Sequence, residues 1–182
     1  LRQGHTTRVD ESQPVPSTLV SEAARTLIAF SGVTILPDIP EYYRKYPALL
    51  NFLSAQKMPW KESRTLAGEI GEYIVMMRET EDAYLVGAAT NESGRTIDLP
   101  LSFLEKGKYT VEVIEDGDDA HYLTNRESLK VTTWQLTNND KLALKLAPGG
   151  GACLVIKKTP SMRVGEQAAF PLVSPSWKIG RE

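Results

Sequence analysis

The sequence predicts a mainly β protein: an antiparallel β-sandwich domain preceded by a short helical stretch. Three observations carry this. From Tyr73 onward apolar residues recur at every second position, the period of a half-buried strand. Turn-forming clusters interrupt that alternation at a spacing of about 8 to 12 residues, as in sandwiches and barrels. Before residue 57 the apolar spacing is instead that of helices.

Residues 1–16 are polar and end in QPVP, an extended loop. Ser17 is the expected N-cap of a helix whose apolar face is Leu19, Val20, Ala23, Ala24, Leu27 and Ile28. Ser31 and Gly32 are expected to close it, since Gly accepts the left-handed conformation of a helix end. Pro40 suits the first turn of a second helix, where Glu41 and Lys45 have the favourable i, i+4 order. Pro47 opens a third, with Leu49, Leu50, Phe52 and Leu53 on its apolar side, ending near Gln56.

Strands are then expected at 73–78, 83–90, 95–99, 108–115, 129–136, 141–146 and 152–157, with LAGEIGEY opening the first. The turns between them are Glu79–Asp82, Asn91–Gly94, Lys106-Gly107, Asp116–Asp119, Asn138–Asp140 and Pro148–Gly151. The tail from Thr159 shows no period. A sandwich buries its two sheets against each other and needs no helix. The apolar helix after Ser17 therefore reads as a piece of another packing layer, with its face left free to self-associate.

Composition narrows the function. At 182 residues there is length for one core, or one domain with an appendage. A net charge of −2 and the lack of a basic run argue against nucleic acid or an anionic membrane as partner. No stretch approaches the roughly 20 apolar residues of a membrane span. The single cysteine, Cys153, excludes an intrachain disulfide and sits among Ala152, Leu154, Val155 and Ile156 as a buried strand thiol. The polar start, LRQGHTTRVDE, lacks a leading Met and reads as a cut end, with room for a targeting signal upstream.

Several constellations invite a chemical reading. Asp116, Asp118 and Asp119 suggest calcium, but its loops carry more widely spaced acids and a distal Glu; a turn around Gly117 accounts for the cluster. Glu69 and Glu72, at i, i+3 between glycines, fit a turn or cap. PGGG lacks the Lys and the helix of a phosphate loop. Among the aromatics, Tyr73, Tyr84 and Tyr109 fall within strand alternation and are expected in or beside the core. The face of Trp134 stays undecided, Trp60 is expected to wedge at the junction, and Tyr122 and Trp177 complete the candidates for a sugar-stacking platform.

Four segments carry a resemblance: QGHTTRVDESQPVPSTLVSEAARTLIAFSGVTILPDIPEYY, PWKESRTLAGEIGEYIVMMRE, DLPLSFLEKGKYTVEVIEDGDDAHYLTNRESL and KLALKLAPGGGACLVI. In that order, over residues 3–157, they resemble the C-terminal third of a family 97 glycoside hydrolase. The resemblance implies an N-terminal β-sandwich, a central (β/α)₈ barrel and a C-terminal all-β domain in the whole protein. Residues 1–57 then correspond to the end of the barrel, a loop plus helices. Residues 58–65 form the junction, 66–158 the β domain and 159–182 a tail. The family's members are exo-acting α-glycosidases, such as α-glucosidases and α-galactosidases, with calcium as cofactor and two catalytic carboxyl groups. An inverting branch and a retaining branch exist. The catalytic and calcium-binding residues lie upstream of the matching region, and none maps onto this sequence.

Four residues fall close to the substrate on this comparison: His5, Arg8, Asp10 and Glu11, in a loop that would rim the mouth of a barrel. Asp10 and Glu11 are adjacent on an extended segment and point opposite ways, so they do not form a facing acid pair. The chain alone is expected to be inactive, with a β domain that covers the barrel or holds subunits together. The implied partners are the missing barrel, a second copy in a homo-oligomer, and α-linked oligosaccharide for the parent enzyme. The implied location is the bacterial periplasm or cell envelope. A carbohydrate-binding sandwich module and an independent interaction domain are the alternatives.

Overall fold

A computed structural model describes residues 15–29, 31 and 40–160. Three helices come first: α1 (Leu19–Ile28), α2 (Pro40–Lys45) and α3 (Pro47–Ser54). Eight strands follow: β1 (Glu62–Glu69), β2 (Tyr73–Glu79), β3 (Tyr84–Thr90), β4 (Arg95–Pro100), β5 (Lys108–Asp116), β6 (Leu129–Thr137), β7 (Lys141–Leu146) and β8 (Gly151–Lys158). A six-stranded sheet runs in the order β1-β2-β3-β8-β5-β6, and β4 and β7 form a second, two-stranded sheet. Every pairing is antiparallel.

The mainly β, two-sheet architecture is the one the alternation predicts. β4 (RTIDLP) and β7 (KLALKL) each bury one face, so that Ile97, Leu99, Leu144 and Leu146 meet Val86, Val111, Val113 and Leu154 of the large sheet. β3 (YLVGAAT) and β8 (GACLVI at its start) behave differently. They are apolar at nearly every position, and nearly every position is buried. A strand of that kind is covered on both faces.

The second cover is the helical layer. Leu85, Ile114, Cys153 and Val155 project to the side opposite the small sheet, where they pack against Val20, Ala24, Leu27, Leu49 and Phe52. This corrects the expectation that α1 lacks a partner here. Its apolar face lies on the sheet, and Val20, Ala24 and Leu27 have no exposed surface. A ten-residue helix is too short to persist in water by propensity alone. Burial of Val20, Leu27, Leu49 and Phe52, worth about 1.5–3 kcal/mol each, holds the layer in place.

Two glycines set the distance between the layers. A Cβ at Gly87 would stand 2.8 Å from the carbonyl oxygen of Ala24, and one at Gly151 would stand 2.6 Å from Cα of Ser21. Only hydrogen at these positions lets the helix backbone lie on the strands.

The ends of α1 differ from the sequence reading. Thr18, not Ser17, is the N-cap; its hydroxyl accepts from the Ser21 amide at 3.2 Å. The Ser17 hydroxyl donates to Glu22. The helix stops at Ile28, before Ser31, where Arg78 of β2 donates to the carbonyls of Leu27 (3.3 Å) and Ile28 (3.2 Å). Gly32 lies outside the described residues. In α2, Glu41 pairs with Arg44 at 3.8 Å, whereas Lys45 reaches Glu127 at 2.7 Å.

The first strand also starts earlier than expected. β1 begins at Glu62, inside the stretch read as a junction, and LAGE ends it. The remaining residues, Ile70, Gly71 and Glu72, make the hairpin turn, with Gly71 at φ +81°. β1 was hidden because Ser63, Arg64 and Thr65 are polar and exposed in succession, on both faces of the strand, which gives no apolar alternation.

A chain beginning at Glu62 would expose Leu85, Ile114, Cys153 and Val155. It is expected to melt without cooperativity and to react at the Cys153 thiol, which burial pushes well above its usual 9.0 in the folded chain. A cooperative melt with an unreactive thiol would show the helical layer to be dispensable.

Candidate interaction surfaces

The carboxylate of Asp116 joins three parts of the chain. It lies at the end of β5 and is 3 % exposed. One oxygen accepts from the Thr18 hydroxyl at 2.6 Å. The other accepts from the amides of Ala147 at 3.0 Å and Gly151 at 2.7 Å. The Asp-Gly-Asp-Asp cluster is therefore not one unit. Asp118 pairs with Lys145 at 2.8 Å, and Asp119 accepts from Asn125 at 2.8 Å and from the Ser128 hydroxyl. The cluster starts a connection over residues 117–128, longer than a simple turn, which also places Arg126 to accept from the Leu19 amide at 2.8 Å.

Arg78 is the counterpart at the other end of α1. Its guanidinium lies 4.4 Å from the ring centre of Trp60, so Trp60 packs at the junction with a charged plane over it. Glu72, in the β1–β2 turn, binds Arg95 at 2.8 Å, and Arg95 lies 4.9 Å from the ring centre of Tyr73. Tyr109 is fully buried, and Tyr84, half-buried, meets its edge at 6.3 Å. Tyr122 stacks on His121 at 4.9 Å. Cys153 is buried beneath α1 and donates to the Val20 carbonyl at 3.7 Å.

Trp134 is the exception among the described rings. It lies opposite Val111 and so projects to the small-sheet side, but two strands are too few to cover it, and it is 51 % exposed. On the opposite side, the helical layer stops short of β6. It leaves an open polar groove of about 570 Å³, lined by residues that include Lys57, Asp82, Glu112, Thr133 and Lys157.

His5, Arg8, Asp10, Glu11 and Trp177 lie outside the described residues. Among the described residues no three of His, Cys, Asp and Glu gather as a metal site, and no helix is long and apolar enough to cross a membrane. The sequence reading missed Arg78, Asp116 and Thr18 as a set. The available signals were an Arg inside the apolar run YIVMMRE and an Asp that ends a strand otherwise apolar at every second position.

Together these features define a β-sandwich module whose two buried charged groups, Asp116 and Arg78, hold the helical layer to the sheet. The chain belongs to the family of glycosyl-hydrolase 97 C-terminal, oligomerisation domains, whose model matches residues 59–157. It is 33 % identical over 147 residues to a retaining alpha-galactosidase of Bacteroides thetaiotaomicron, a match that covers 80 % of this chain and 22 % of that protein. A probable retaining alpha-galactosidase of Streptomyces bingchenggensis is 28 % identical over 107 residues, covering 59 % of this chain and 17 % of that protein. In three dimensions the chain is similar to a Glycoside Hydrolase Family 97 enzyme from Pseudoalteromonas, solved in complex with acarbose. That match has a TM-score of 0.75 at 29 % identity and covers 80 % of this chain and 23 % of that one. The chain thus spans about a fifth of the length of the relatives it matches.

Burial pushes the Asp116 carboxyl above its ordinary 3.8, and its three hydrogen-bond donors pull it partly back. With the folded value raised, its contribution to stability is fullest below 3.8 and is lost as pH rises through the folded value. Asp116→Ala orphans three donors and is expected to cost about 3 kcal/mol or more. Asp116→Asn, which does not titrate, is expected to show a stability gap to wild type that narrows as pH rises through that window. Urea unfolding at several pH values checks both. A loss under about 1 kcal/mol for Asp116→Ala would remove it from this role.

Proposed function

We propose that this chain is the C-terminal part of an exo-acting α-glycosidase, in which the helical layer ends the catalytic barrel and the β domain holds subunits together. The observation that carries this is how far the similarity reaches. Residues 59–157 are 99 of 182, about 54 % of the chain, whereas the similarity to the family 97 enzyme covers 80 %. It therefore extends beyond the β domain into the helical layer, which the relative also has.

Glycoside hydrolysis needs two carboxyl groups held about 5 to 9.5 Å apart across the bond. The buried carboxylate, Asp116, is turned to Thr18 and two backbone amides, and it faces no cleft. The described residues do not fit a resident calcium ion either. Asp116, Asp118 and Asp119 are each directed at different partners, and calcium wants six to eight converging oxygens. On this reading the reaction belongs to the parent enzyme's catalytic barrel.

The protein carrying its preceding domain is expected to hydrolyse an aryl α-galactoside or α-glucoside, and residues 1–182 alone to hydrolyse neither, with or without calcium. Calcium-dependent turnover by residues 1–182, lost in an Asp10→Asn, Glu11→Gln double variant, would place the machinery in this chain instead. The exposed ring of Trp134 is the observation that favours a sugar-binding module. Quenching of tryptophan fluorescence by α-linked oligosaccharide, absent in Trp134→Ala, would establish that reading.

A further inference from the structure

The large sheet has two outer strands among the described residues, β1 and β6, and they are built differently. β1 carries Glu62, Arg64 and Glu69, and a bulge breaks its register between Thr65 and Ala67. Charges and bulges are the devices that stop an edge from recruiting another strand. β6 has no bulge and a single charge. Its register with β5 is unbroken from Leu129 to Thr137, and its one charge, Lys130, leans back toward Glu115 at 3.8 Å. Its sequence, LKVTTWQLT, is rich in strand-forming residues. Val131 is 42 % exposed on the helical side, and Trp134 is exposed on the other.

We propose that β6 is the surface through which two copies of this chain join, pairing antiparallel with its counterpart about a twofold axis at Thr133. This rests on the assembly role of the β domain and names its surface. The strand is self-complementary in that register. Lys130 falls beside Leu136 of the second copy, Val131 beside Gln135 and Thr132 beside Trp134, so no like charges meet. A twofold interface of this kind uses one patch twice. The exposed apolar side chains lie one on each face of the strand, so a single added strand covers both. Pairing along nine residues, at about 3.4 Å each, gives a contact roughly 30 Å long.

The test uses the full 182-residue chain. Sedimentation is expected to show a dimer for wild type and a monomer for V131K/W134K, with the circular dichroism spectrum unchanged and the melt still cooperative, because both side chains are largely exposed. Thr133→Cys places two thiols across the axis, where opposed Cβ atoms lie about 4.5–5.5 Å apart. It is expected to form a reducible covalent dimer under mild oxidation, whereas Ser63→Cys on β1 does not. A dimer that persists in V131K/W134K and is not captured by Thr133→Cys overturns the β6 surface and leaves the assembly role standing. A monomeric wild type overturns both.

Discussion

Helix α1 lies with its backbone against two strands, and it is held there at each end by a charged side chain from the sheet. Asp116 of β5 accepts the hydroxyl of its N-cap, Thr18. Arg78 of β2 donates to its last two carbonyls. The signs match the helix dipole, negative at the N-terminus and positive at the C-terminus. Both groups are almost fully buried, so screening by solvent is weak where they act. Gly87 and Gly151 remove the side chains that would hold the helix off the sheet. The same carboxylate fixes the turn before β8 through Ala147 and Gly151, so helix position and sheet closure depend on one group.

That arrangement explains the layer order. With α1 and α3 on one face and β4–β7 on the other, the central strands β3 and β8 are dry on both sides. The helices act as a structural layer of the β domain, whatever they touch on their outer side. The layer order also decides which surfaces remain open. Of β6 the covers reach Leu129 and Leu136, while its outer edge and Trp134 are left exposed.

The sequence shows some of this plainly and hides the rest for physical reasons. Strands covered wholly or mainly on one face, such as β4, β5 and β7, announce themselves by alternation, and their bounds fall within a residue or so of the expected ones. β3 and β8 were legible as strands, but their unbroken apolar runs, LVGAA and ACLVI, also signalled a second cover that alternation-based reading passed over. β1 was not legible, because an exposed edge strand with Arg64 and Thr65 facing water has no apolar period. The clamp was least visible. Thr18 and Asp116 are 98 residues apart, and Arg78 and Leu27 are 51 apart, so their meeting is a product of strand order. The family was legible from local segments, while His5, Arg8, Asp10 and Glu11 fall outside the described residues and stay as the resemblance left them.

Clamped at both ends, α1 is expected to unfold together with the six-stranded sheet, as one unit. Native-state hydrogen exchange reads this directly, since each amide reports the opening that exposes it. The expected result is that the α1 amides of Ala23, Ala24 and Leu27 exchange with the same free energy as those of Val86 in β3 and Leu154 in β8, near the global value. Exchange of the α1 amides through a local opening several kcal/mol cheaper, with the strands still protected, would contradict it.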